Sequence, residues 1–192
     1  MTVDSLVAHA ESTSSTFLYA LLSLLGLSSS NVYAHAASHL GASLTITTFL
    51  RALPFHASKR RMVIPAEITA KHGVKQEDVF RHGGDAQGIN EAVFEFATVA
   101  NDHLIIAREM FKEEVEGKVP RPAMPVFLAA VSPCRYKWCD LAQLTPALLQ
   151  IPAQNFLTRL ESVNFNVFHP SLQRTHWKLP YLLWKAGRSR IF

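Results

Sequence analysis

The chain has 192 residues, of which 48% are apolar and 18% are charged, and its formal net charge is +4. This length suits one domain with a sizeable core, which we expect over residues 1–192. Two cysteines, Cys134 and Cys139, are too few for a disulfide framework and cannot fill a four-ligand zinc site, so we expect reduced thiols.

The acidic residues are unevenly distributed along the chain. None lies between Glu11 and Glu67, and none follows Glu161. The basic residues after that point are Arg174, Lys178, Lys185, Arg188 and Arg190. Two acid-free basic regions favour an anionic partner, which is a lipid surface, a nucleic acid or an acidic protein face. The alternative is a solvated basic surface that binds nothing.

The first residues do not have the composition of a targeting peptide. Asp4 comes early, and the first Lys or Arg is Arg51. A secretory signal needs a positively charged start, and a transit peptide needs arginines. We therefore expect that this chain does not show an organelle address.

Apolar periodicity predicts two helices in the first third of the chain. The first covers about residues 4–27, with Asp4 or Ser5 as its cap. The second starts near residue 31 and runs to about Leu53, where Pro54 is expected to end it. Residues 12–50 contain no charge other than histidine, which is enough for two membrane spans of about 20 residues each. Their many hydroxyl groups favour a buried helical hairpin instead, and a peripheral membrane contact stays open.

The second predicted helix carries two notable patterns. His35 and His39 are spaced to share a helix face, and this spacing can bind a metal. No further ligands are identifiable, so packed or partly exposed histidines are the preferred interpretation. Gly41, Ala42 and Ser43 are small, which allows another helix to approach closely.

The second helix leads into a basic segment. Three consecutive cationic residues, Lys59–Arg61, follow it, and no acidic residue lies nearby in the sequence. The candidate binding patch consists of Arg51, His56, Lys59, Arg60 and Arg61. The alternative is a basic cluster that complements the dipole at a helix C-terminus.

Further helices are predicted over about residues 64–72, 76–81, 86–117, 123–131, 151–163 and 179–186, and a basic tail over about 185–192. The longest one carries the carboxylate pairs Glu91/Glu95 and Glu109/Glu113. A solvated helix face is preferred for these pairs over a magnesium site, because Arg108 and Lys112 lie among the second pair as ion-pair partners would.

Thr48–Arg51, Lys59–Arg61 and Val63–Pro65 together resemble the second aspartate-rich region of the squalene/phytoene synthase family. That pattern is roughly N-x-L-R-D-x-x-x-D on a helix, followed by a basic turn and an L-P exit. Ala52 and His56 stand where the pattern has its two aspartates. In the family these carboxylates hold magnesium against a diphosphate, and magnesium prefers oxygen ligands. The resemblance thus implies a retained scaffold without its metal chemistry.

Two longer segments, Leu50–His56 and Ser162–Gln173, resemble the non-catalytic mitochondrial branch of this family, and the resemblance runs from about Leu6 to Leu183. It implies an all-α, isoprenoid-synthase-like helical bundle. No D-x-x-x-D motif occurs in the chain. We therefore expect it to form the C-terminal two-thirds of the family fold, as a single partial domain.

The resemblance to this branch also implies a function. We expect a pseudoenzyme without catalytic residues, metal or cofactor, which serves as an assembly factor for respiratory complex I. It would lie peripherally on the matrix side of the mitochondrial inner membrane. Its partners would be complex I assembly intermediates or subunits and the anionic membrane surface, and not nucleic acid. The alternatives are a lipid- or isoprenoid-binding module and a residual prenyl-diphosphate condensing enzyme.

Overall fold

The computed structural model describes residues 1–114, 121–127 and 153–173, together with Tyr181, Trp184, Lys185 and Arg188. Every regular element within these residues is helical, which confirms the predicted all-α class. The helices are α1 (Val3–Ala10), α2 (Thr16–Leu24), α3 (Asn31–Ser58), α4 (Ala66–Lys71), α5 (Gln76–His82), α6 (Ile89–Glu114), α7 (Met124–Phe127), α8 (Ala153–Glu161) and α9 (Pro170–Gln173).

The first predicted helix is present, but its cap and its middle differ from the prediction. The N-cap is Thr2, whose hydroxyl oxygen accepts a hydrogen bond from the Ser5 N–H at 3.1 Å. The Ser5 hydroxyl oxygen accepts one from the Thr2 N–H at 2.9 Å, so Ser5 is the second member of a capping box and not the cap itself. A π-helical turn, Glu11–Ser15, connects α1 to α2.

Pro54 lies inside α3 and does not end it, so the predicted end at Leu53 is wrong. The helix continues for one more turn to Ser58. Leu53 and Ala57 are buried in the core on either side of the proline. Packing of these side chains holds the last turn although Pro54 cannot donate a backbone hydrogen bond.

Helices α3 and α6 form the most extensive helix–helix contact in the described part of the chain. Leu50 of α3 and Phe96 of α6 belong to one buried cluster. Leu40 of α3 belongs to a second cluster with Leu104 and Phe111 of α6. The C-terminal half of α3 therefore meets the N-terminal half of α6, and the two helices run antiparallel.

The π-helical turn makes the closest approach to α3. A Cβ atom built on Gly41 would lie 2.8 Å from the backbone nitrogen of Ser15 and 2.9 Å from its Cα. Real Cβ contacts are longer than this, so no side chain fits at Gly41. The predicted role of the small residues in α3 is confirmed at this position.

The predicted carboxylate pairs on α6 lie partly in solvent. Glu91 and Glu109 are exposed. Glu95 accepts hydrogen bonds from Lys71 at 2.8 Å and from His72 at 2.7 Å, and these contacts join α4 to α6. The second member of the other pair, Glu113, has a side chain outside the described part.

Several predictions fall on residues that the structure does not describe. They are the end of the predicted helix 123–131, the irregular segment 132–150 with both cysteines, and most of the helix 179–186 and the basic tail. None of the described helices combines the length and the apolar character that a membrane span requires.

Candidate functional site

The basic turn, which we define as Lys59, Arg60 and Arg61, directly follows α3. The His56 carbonyl oxygen accepts hydrogen bonds from the N–H groups of Lys59 and Arg61, each at 2.9 Å, and the Ala57 carbonyl accepts one from Arg60 at 2.9 Å. This is the Schellman arrangement that satisfies the last carbonyls of a helix. All three cationic side chains are exposed.

Arg60 has a left-handed backbone conformation with φ of 54°. Glycine usually occupies this position of the motif, because an L side chain is strained there. The turn therefore presents a cation where a helix end would ordinarily have no side chain.

The other two predicted patch residues lie within α3. His56 is partly buried, and its ring centroid lies 5.5 Å from that of Phe55 in an edge-on arrangement. Arg51 is also partly buried. It precedes Lys59 by eight residues, which is about 12 Å along the helix axis at about 1.5 Å per residue. The structure thus brings His56 to the basic turn and places Arg51 about two turns away.

Helix α5 brings an acidic residue close to the basic turn, although the sequence next to the turn contains none. Glu77 accepts a hydrogen bond from the Arg81 Nε at 2.8 Å. This hydrogen bond is the main cause that lowers the pKa of Glu77, and the charge of Arg60 lowers it further. One carboxylate faces two cations here, so the surface stays positive.

Phe55 is a residue of this site that the sequence-based choice missed. Its side chain is 43% exposed, although it is large and apolar. Phe55 and Lys59 are four residues apart and therefore lie on the same side of the helix end. The i, i+4 spacing of Phe55 and Lys59 was the signal in the sequence that could have identified Phe55. An aromatic ring beside cations is typical of surfaces that meet a membrane interface.

A sequence model of the squalene/phytoene synthase family matches residues 1–180. The chain belongs to this family. A relative from Homo sapiens named "NADH dehydrogenase (ubiquinone) complex I, assembly factor 6" is 35% identical over 182 residues, which is 95% of this chain and 46% of the relative. The relative of the same name from Rattus norvegicus is 34% identical over 183 residues, again 95% of this chain and 46% of the relative.

A more distant relative, the assembly factor 6 homolog of Dictyostelium discoideum, is 26% identical over 190 residues, covering 99% of this chain and 46% of the relative. The chain spans about half the length of the curated relatives it matches. No solved structure matches it at a significant level.

The residues present do not fit the magnesium ion that squalene/phytoene synthases use. Ala52 is 3% exposed and offers only a methyl group, and His56 offers an imidazole. Helix α3 contains no Asp or Glu, and magnesium prefers oxygen ligands. Within the described residues, no group of three or more His, Cys, Asp or Glu side chains could hold a metal ion.

A second polar cluster joins α3 to α6. The Nδ1 atoms of His39 and His103 are 2.9 Å apart, so one ring donates a hydrogen bond to the other. Burial lowers the pKa of both histidines, and the mutual repulsion of their charged forms lowers that of His103 further. His35, the expected neighbour of His39, is exposed. The partner lies 64 residues away in the sequence, and no local pattern could have indicated it.

Glu11 extends this cluster to the π-helical turn. Its carboxylate accepts hydrogen bonds from the Tyr19 hydroxyl and from the Ser38 hydroxyl, the latter at 2.8 Å. Burial alone would raise the pKa of Glu11, but these hydrogen bonds outweigh it and the net shift is downward. The cluster therefore fixes the packing of the first helices against α3, and these hydrogen bonds all join residues of this chain.

Proposed function

We propose that this chain acts as a non-enzymatic assembly factor for mitochondrial respiratory complex I. The observation that carries the proposal is the similarity to relatives that bear this name, over 95% of the chain at 34–35% identity. We expect the chain to work on the matrix side of the inner membrane. Its partners are complex I assembly intermediates or subunits, early in the construction of the membrane arm.

Deletion of the gene that encodes this chain tests the proposal. Deleting the gene should lower the amount of assembled complex I, seen by native gel electrophoresis of solubilised mitochondria. The other respiratory complexes should stay near their normal amounts. Normal complex I in the deletion strain, or an equal loss of all complexes, would contradict the proposal.

The proposal describes a pseudoenzyme that retains the family scaffold. Ala52 and His56 support this, because neither supplies the carboxylate oxygens that a magnesium diphosphate needs. Purified protein with magnesium and farnesyl diphosphate should release no diphosphate above the buffer control. Magnesium-dependent release would instead favour a residual condensing enzyme.

The proposed membrane contact is the basic turn together with Phe55. Each well-placed Lys or Arg at an anionic membrane contributes about 1 kcal/mol, so three cations correspond to about 100-fold in affinity. The exposed ring of Phe55 can enter the interface between them. The carboxylate of Glu77 lies close enough to Arg60 to interact with its charge, and it offsets part of the attraction to an anionic membrane.

Vesicle binding tests this contact directly. The protein should co-sediment with vesicles that contain anionic lipid and not with neutral ones, and added salt should weaken the binding, because exposed charges are screened. Replacing both Lys59 and Arg61 by Glu should abolish most of the binding. Arg121→Glu is the control, because this arginine is exposed and lies outside the basic turn.

Two results would contradict the assignment of this contact. One is binding that the double variant leaves unchanged. The other is binding that is insensitive to salt and to anionic lipid, which would favour the alternative of a lipid- or isoprenoid-binding groove.

A further inference from the structure

We draw no further inference here: the strongest candidate, the uncharged turn between α2 and α3 at which Leu24 and Leu25 are exposed, carries none, because nothing in the part of the chain that the structure describes shows what covers these side chains.

Discussion

Replacing Gly41 by alanine tests the packing that holds the first helices against α3. The added Cβ would lie 2.8 Å from the Ser15 backbone nitrogen and 2.9 Å from its Cα. These are backbone atoms of the π-helical turn, so the clash cannot be relieved by rotating a side chain. Either the turn or α3 must shift.

Two opposing effects determine the stability of Gly41→Ala. Alanine favours the interior of a helix over glycine by about 1 kcal/mol. Overpacking of a tightly packed site costs about 1–3 kcal/mol, and contact with backbone places this site in the upper part of that range. The expected net loss is about 1–2 kcal/mol. For a chain of this size it corresponds to a decrease in Tm of about 2–8 °C.

Thermal unfolding followed by circular dichroism measures this change. Thr48→Ala is the control, because Thr48 lies on the exposed side of α3. Alanine at this position raises the helix propensity without causing a clash. The control should keep or slightly raise the Tm. A Tm of Gly41→Ala at or above that of the wild type would refute the close approach of the π-helical turn to α3.

The remaining predictions concern the basic turn and the histidine pair. Arg60→Gly should raise the Tm by a few degrees, because glycine removes about 1 kcal/mol of strain from the left-handed position, and a lower Tm would contradict the cap geometry. The pKa of His39 and of His103 lies below the ordinary value of about 6.5, so the unfolded chain binds protons more readily than the folded one. The free energy of unfolding should therefore be highest above pH 7 and fall as the pH decreases through about 6.5 and below. Denaturant titrations between pH 8 and 5 should show a shallower decrease when both histidines are replaced by Gln, and an unchanged slope would count against the pairing.

Local patterns in the sequence predicted the long helices well, because their periodic apolar faces correspond to the core. Helix α6 was predicted over residues 86–117 and is described from Ile89 to Glu114. The close approach at Gly41 was predictable for a similar reason, since a small residue on a buried face leaves room only for another backbone. The family resemblance came from contiguous motifs, and the match to residues 1–180 confirms it.

Features that depend on distant contacts could not be predicted in this way. Helix α3 continues past Pro54 because Leu53 and Ala57 are buried. The rule that a proline ends a helix contains no information on that packing. Likewise His103 pairs with His39, and Glu77 reaches the basic turn, only because α6 and α5 fold back on α3. The candidate patch was therefore predicted as a list of cations, while its acidic neighbour and its exposed aromatic ring required the fold.

We propose that this chain retains a synthase scaffold and serves as a binding protein in complex I assembly. The most direct test is to separate mitochondrial complexes from cells that express the tagged protein on a native gel and to follow its migration by mass spectrometry. We expect the protein to migrate with incomplete complex I intermediates and to be absent from the mature complex. Migration only as a free protein, or with other respiratory complexes, would contradict it.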